Sequence, residues 1–197
     1  MILQEKINRD YQLILGSGSP RRKVLLENMG FEFDVAIQEV EENVDFSLPA
    51  GEIVMALAQQ KSQGIELKNE NQILITADTI VYNDNMVLGK PKNLQEAKEM
   101  LFSLSDKSHQ VYSGICLRSP KKELSDYVCT EVYFNKLDED EVDYYLRTYS
   151  PLDKAGAYGI QEWIGFHSIS SINGSYYNVM GLPCAKLSEM LKKFILE

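Results

Sequence analysis

Tyr11-Gln12-Leu13-Ile14-Leu15-Gly16-Ser17-Gly18-Ser19-Pro20-Arg21-Arg22 sets a strand, a loop and a helix in succession. Tyr11 to Gly16 reads as a buried strand. Pro20 then opens a helix in which Val24, Leu25, Leu26 and Met29 recur at helical spacing, and Gly30 ends it. The loop between them has the chemistry of an anion site. The first turn of a helix offers unpaired N–H groups and the positive end of its dipole. Gly16 and Gly18 let backbone approach a ligand closely, Ser17 and Ser19 add hydroxyls, and Arg21 and Arg22 add forked donors that match phosphate oxygens. The plain alternative is a helix capped by Ser19 with two solvated arginines, and the loop alone leaves both open. The spacing is not that of a P-loop.

Outward from this unit, strands and helices alternate. Phe31 to Ile37 alternates like a strand, Glu39 to Ser47 is an acidic loop, and Ala50 to Leu67 is a helix. Ile73 to Tyr82 is strand-like, and Asp78 is read as a carboxylate at the end of an apolar strand. After a turn at Asn83-Asp84-Asn85 come a short strand, Met86 to Leu88, and the loop Gly89-Lys90-Pro91. Asn93 with Glu96 forms a capping box for a helix over Leu94 to Leu104, and Asp138 with Glu141 caps another to about Tyr149. His109 to Arg118 and Glu123 to Leu137 form two long strands. Ser150 to Gln161 is a Gly- and Ala-rich loop, and Pro183 opens a last amphipathic helix. The pattern predicts an α/β fold on a mixed sheet.

Composition narrows the functions. The 197 residues are 44% apolar and 25% charged, with 29 acidic against 20 basic side chains and a formal charge of −9. That balance argues against a nucleic-acid partner, which calls for a basic face. An anionic substrate needs a local basic pocket or a bridging divalent cation. No apolar run approaches the roughly 20 residues that span a bilayer. Met1 to Asp10 has no apolar signal core, so the chain reads as cytoplasmic with no membrane partner. Cys116, Cys129 and Cys184 form no metal motif or disulfide framework, and His109 and His167 are too few and too distant for a zinc site.

Six motifs in order carry a resemblance: Ser17-x-Ser19-Pro20-Arg21-Arg22, Ala77-Asp78-Thr79, Gly89-Lys90-Pro91, Ser113-Gly114 after His109, Asp153-Lys154-Ala155-Gly156-Ala157-Tyr158-Gly159-Ile160-Gln161, and Asn178-Val179-Met180-Gly181-Leu182-Pro183. Together they resemble the Maf family of nucleotide pyrophosphatases over nearly the whole chain. The resemblance implies one domain over residues 1–197: a mixed, twisted sheet with flanking helices, elongated and two-lobed with a central cleft. It implies hydrolysis of the α–β phosphoanhydride of nucleoside triphosphates with Mg²⁺ or Mn²⁺, in the branch acting on dTTP and UTP, and a homodimer. Asp78 matches the proton acceptor, and Arg21, Thr79 and Gln161 match positions that set substrate choice. Glu41 matches an acidic site residue and Lys61 a lysine position. Two residues depart from the pattern: Ser150 stands where many relatives have Glu, and Glu162 where Gly is usual. Both flank the Lys154 loop.

Phosphoanhydride hydrolysis needs a metal, cations for the phosphate charge, a positioned water and a base. Asp78 is the candidate base and, with Glu41, a candidate metal ligand, since Mg²⁺ prefers carboxylate oxygen. Lys61 is placed to reach phosphate or Asp78, although a helix lysine is ordinarily just solvated. Lys90 and Lys154, with Ser17, Arg21 and Arg22, would make the local positive pocket that the acidic chain otherwise lacks. Gln161 offers both donor and acceptor to a base edge, and Thr79 selects by hydroxyl or shape. Two other functions fit the same motifs: a nucleotide-binding regulator linked to cell division, and a pyrophosphatase for modified or non-pyrimidine nucleotides.

Overall fold

In a computed structural model, which describes residues 2–40 and 43–196, the opening stretch forms strand β1 (Gln12–Leu15) and helix α2 (Pro20–Asn28). Leu13, Ile14 and Leu15 are all buried because β1 lies between two parallel neighbours, β2 (Phe33–Val35) and β3 (Gln72–Asn83). A strand covered on both faces needs a continuous apolar run, and Leu-Ile-Leu supplies it. The remaining strands are β4 (Met86–Leu88), β5 (Ser108–Arg118), β6 (Glu123–Phe134) and β7 (Ile169–Asn173). They complete a mixed sheet in the order β2-β1-β3-β5-β6-β7, with β4 antiparallel to β3 and β7 antiparallel to β6. The expected mixed α/β class is the observed one.

The chain divides into two compact units: residues 1–78, 113–128 and 181–197 in the first, and 79–112 with 129–180 in the second. In the first, α3 (Ala50–Gln63) buries Ile53, Val54, Leu57 and Ala58. Gly51 and Gly114 allow it to sit so close. A Cβ on Gly114 of β5 would lie 2.3 Å from the Val54 carbonyl oxygen of α3, and one on Gly51 would lie 2.4 Å from the Tyr127 ring. Thr76 of β3 donates to the Ala58 carbonyl at 2.6 Å. Arg118, at the end of β5, donates from Nε to Ser62 Oγ at 2.7 Å and from Nη2 to the Ser62 carbonyl at 2.6 Å, and also reaches the Ile65 carbonyl. A guanidinium on a helix's last carbonyls satisfies them and complements the dipole. It also marks the end of α3 at Gln63, short of the Leu67 that periodicity suggests.

The second unit packs α4 (Leu94–Leu104), α5 (Glu139–Tyr149) and α6 (Trp163–Ser168) around Leu101, Leu104, Val132, Val142, Tyr145 and Ile164. Asp138 and Glu141 form the full capping box at α5. At α4 only half of it forms: Asn93 accepts from Glu96 N–H, while the Glu96 carboxylate takes the Lys92 N–H at 2.7 Å. Further elements are α7 (Tyr176–Met180) here, and α1 (Leu3–Asp10) and α8 (Cys184–Leu196) in the first unit. Among the described residues no helix is long and apolar enough to cross a membrane.

His109 is a core residue of the second unit. It is 3% exposed, its Nε2 lies 2.7 Å from the Tyr158 hydroxyl, and its ring stands 5.4 Å from those of Phe134 and Tyr158. Burial disfavours the imidazolium and pushes the pKa down to about 4. A group whose folded pKa is depressed binds its proton more readily in the unfolded chain. The stability it confers is therefore present above the unfolded pKa of about 6.5 and is lost as pH falls toward the folded value. His109 alone should cost about 2 kcal/mol between pH 7.5 and pH 5. Urea unfolding at both pH values should show that His109→Gln removes about this much of the wild-type pH dependence. An unchanged dependence would mean that His109 does not stay neutral in the fold.

Candidate active site

The first unit gathers the Ser17 loop, α2, Lys61 and Asp78. Asp78 does not end its strand: β3 runs through it to Asn83. The burial of β3 lapses at Asp78 and Thr79, which are half-buried between buried Ala77 and Ile80. The fixed seat of α3 brings Lys61 to this point, where its ammonium donates to Asp78 Oδ1 in a short ion pair. The side chains are 26% and 16% exposed, so the pair is partly desolvated.

In the loop after β1, Ser17 Oγ accepts from the Ser19 N–H at 3.2 Å and from Arg22 Nη1 at 3.2 Å. Arg22 Nε donates to the Gly181 carbonyl at 2.8 Å. Arg22 is thus locked by two motifs far apart in the chain, and the conformation of the Asn178–Pro183 stretch at Gly181 serves to orient it. Burial pulls its pKa below the ordinary arginine value, the Asp78 carboxylate opposes this, and Arg21 adds to it. Two expectations change. Ser19 occupies the N-cap of α2 but makes no side-chain cap bond. Gly16 faces protein rather than ligand: a Cβ there would lie 2.6 Å from Thr76 Cγ2 and 2.9 Å from Ile65 Cδ1.

The second unit carries Thr79, Lys90, Lys154 and Gln161. The Gly89 carbonyl accepts from the Gly156 N–H at 3.0 Å, which ties the Gly89-Lys90-Pro91 loop to the 3-10 turn Ala155–Ala157. Gly156 is required there, because its φ is +67° and a Cβ would meet Val81 at 2.8 Å. Lys90 is exposed, and no ion pair holds it among the described residues. Lys154 differs: it is buried, with its ammonium 2.7 Å from Asp153 Oδ1 and 3.0 Å from Glu162 Oε1. Gln161 is half-buried, and its Oε1 has no hydrogen-bond partner among the described residues. Asn178, fully buried, donates to the Val111 carbonyl and Thr130 Oγ1, both at 2.9 Å, and pins α7 to the sheet.

The expected metal ligand Glu41 lies outside the described residues. Among those described, no group of three or more His, Cys, Asp or Glu side chains is gathered for a metal. Asp78 offers a single carboxylate. That donor set fits a Mg²⁺ ion that keeps several waters and takes its other ligands from a bound polyphosphate. Sequence reasoning missed Tyr145 and Glu162 as partners around the Lys154 loop. The only signal for either was the departure at residue 162.

Comparison with known proteins agrees with the motifs. A Maf-like protein family profile matches residues 12–194. The dTTP/UTP pyrophosphatase of Phocaeicola vulgatus is 46% identical over 185 residues, covering 93% of this chain and 96% of that protein. The dTTP/UTP pyrophosphatase of Bacillus cytotoxicus is 50% identical over 184 residues, 93% and 95% of the two chains. The protein of the same name in Flavobacterium johnsoniae is 42% identical over 195 residues, 98% and 100% of the two chains. With this match along nearly its whole length, the chain belongs to the Maf-like protein family.

Proposed function

We propose that this protein hydrolyses the α–β phosphoanhydride of dTTP and UTP, releasing the nucleoside monophosphate and pyrophosphate. The observation that carries the reading is the Lys61–Asp78 pair, set in the same unit as the arginine-bearing loop after β1. The names of its relatives support it. Asp78 accepts a proton from the attacking water as the water oxygen bonds to the α-phosphorus, and the bond from that phosphorus to the bridging oxygen of pyrophosphate breaks. Lys61 holds Asp78 in place. Arg21, Arg22 and Lys90, with Ser17, meet the phosphate charge that shifts onto the leaving group. Asp78 and Glu41 would be the residues to hold a divalent cation, Mg²⁺ or Mn²⁺, which would supply further charge neutralisation when bound.

Gln161 reads the base. Its buried Oε1 lacks a donor, and the N3–H of thymine or uracil is a donor, whereas cytosine presents a lone pair at that position. Thr79 limits the shape of what binds. Lys154 serves the substrate through the loop that carries Gln161. The test is product analysis with dTTP and UTP. Monophosphate and pyrophosphate should appear in equal amounts with Mg²⁺ or Mn²⁺ and vanish with EDTA. Full activity in metal-free buffer contradicts the metal's role, and binding without turnover favours the regulator.

A further inference from the structure

The Lys154 side chain is only 8% exposed and faces two carboxylates, Asp153 and Glu162, the latter 18% exposed. One cation between two anions presents no net positive charge to a polyanion. The chain from Glu162 continues inward. Tyr145 of α5, with no exposed surface, donates its hydroxyl to Glu162 Oε2 in a short hydrogen bond and accepts the Gly159 N–H at 3.1 Å. The Glu162 N–H closes a turn on the Gly159 carbonyl at 3.0 Å. The Glu162 and Gln161 side chains both lie over Gly159, where a Cβ would stand 2.8 Å from Glu162 Cδ and 3.0 Å from Gln161 Nε2. Glu162 thus joins the two ends of the segment from Lys154 to Gln161 and ties it to α5.

We propose that Glu162 is a positioning residue for base selection: it cinches the Lys154–Gln161 loop, with Lys154 as the strut of that loop rather than a ligand of the phosphates. This rests on the reading of Gln161 as the group that meets the base. A carboxylate is suited to the task because its two oxygens serve two partners at once, Lys154 on one and Tyr145 on the other. An amide at the same place keeps one acceptor oxygen and turns an NH2 donor toward the other partner. With the loop loosened, the Gln161 amide samples orientations that no longer distinguish a ring N–H from a ring lone pair.

The test is kcat/KM for dTTP, UTP and CTP with wild type, Glu162→Gln, Tyr145→Phe, Lys154→Met, the Glu162→Gln/Lys154→Met double variant and Gln161→Ala. Inorganic triphosphate is added as a competitive inhibitor that has phosphates and no base. Glu162→Gln and Lys154→Met should each lower the dTTP-to-CTP ratio about tenfold, the double variant should be no worse than either single one, and the inhibition constant for triphosphate should stay within about twofold. Tyr145→Phe, which leaves the carboxylate and the lysine in place, should lower the ratio in the same direction and covers the case in which Glu162→Gln does not fold. If Lys154→Met weakens triphosphate inhibition and all three nucleotides alike, Lys154 is a phosphate ligand and the proposal is wrong. If Gln161→Ala lowers the ratio while Glu162→Gln and Tyr145→Phe leave it unchanged, the positioning role fails and the base-reading role stands. If Gln161→Ala leaves the ratio unchanged, the base-reading role fails and the proposal falls with it.

Discussion

Asp78→Asn should lower kcat for dTTP by about a thousandfold or more, in the range that a positioned general base contributes. The amide keeps the size of the side chain and an oxygen that can accept from Lys61, so the fold and the seat of α3 are preserved. On the proposed mechanism, what disappears is the oxygen that takes the proton from water. The check is steady-state kinetics beside thermal unfolding and equilibrium binding of dTTP. Turnover should collapse while the midpoint of unfolding shifts little and the dissociation constant changes less than tenfold. Near wild-type kcat would remove Asp78 from the mechanism. Loss of folding would instead mean that the carboxylate is needed mainly to neutralise Lys61, whose side chain is about a quarter exposed.

Gln161→Ala and Thr79→Ala should weaken selection for dTTP and UTP over CTP and GTP, by about ten- to a hundredfold for Gln161. The magnitude follows from the cost of leaving one buried polar group without a partner, about 1–3 kcal/mol. In the wild type that cost falls on cytosine, whose N3 lone pair would face Gln161 Oε1. Alanine removes the acceptor, so kcat/KM falls more for dTTP and UTP than for CTP. Lys90→Ala is the contrast, since an exposed lysine directed at phosphate should affect every triphosphate by a similar factor. Arg22→Ala should do the same, with some loss of stability as well, because Arg22 bonds to Ser17 and Gly181. A uniform loss across all bases in Gln161→Ala and Thr79→Ala would show that neither residue reads the base.

Where an element is long and its period clean, the sequence was enough to place it. The Leu13-Ile14-Leu15 run and the Pro20 helix stand as read, as do the helix over Leu94–Leu104 and the capped helix after Asp138. The stretch from Trp163 to Met180 was not legible. It folds as two short helices and a five-residue strand, each too brief to show a period, and they are held by tertiary bonds such as those of Asn178. The same limit applies to α1, whose eight residues bury Ile7 as their one fully covered side chain. The meeting of Lys61 with Asp78 was one of two partners allowed for that lysine, the other being phosphate. It depends on glycines at 51 and 114 whose role is visible only once α3 is seated. Gly16 was misread for a related reason: a glycine that admits a neighbouring side chain looks, in sequence, the same as one that admits a ligand. The pairing of Lys154 with Glu162 was not legible, because the two lie eight residues apart across a turn, a distance at which no periodic rule pairs side chains.

Turnover of dTTP in ¹⁸O-labelled water, followed by mass spectrometry of both products, tests water attack at the α-phosphorus with pyrophosphate as the leaving group. One ¹⁸O should appear in dTMP and none in pyrophosphate. Label in pyrophosphate, or release of inorganic phosphate in its place, would contradict it.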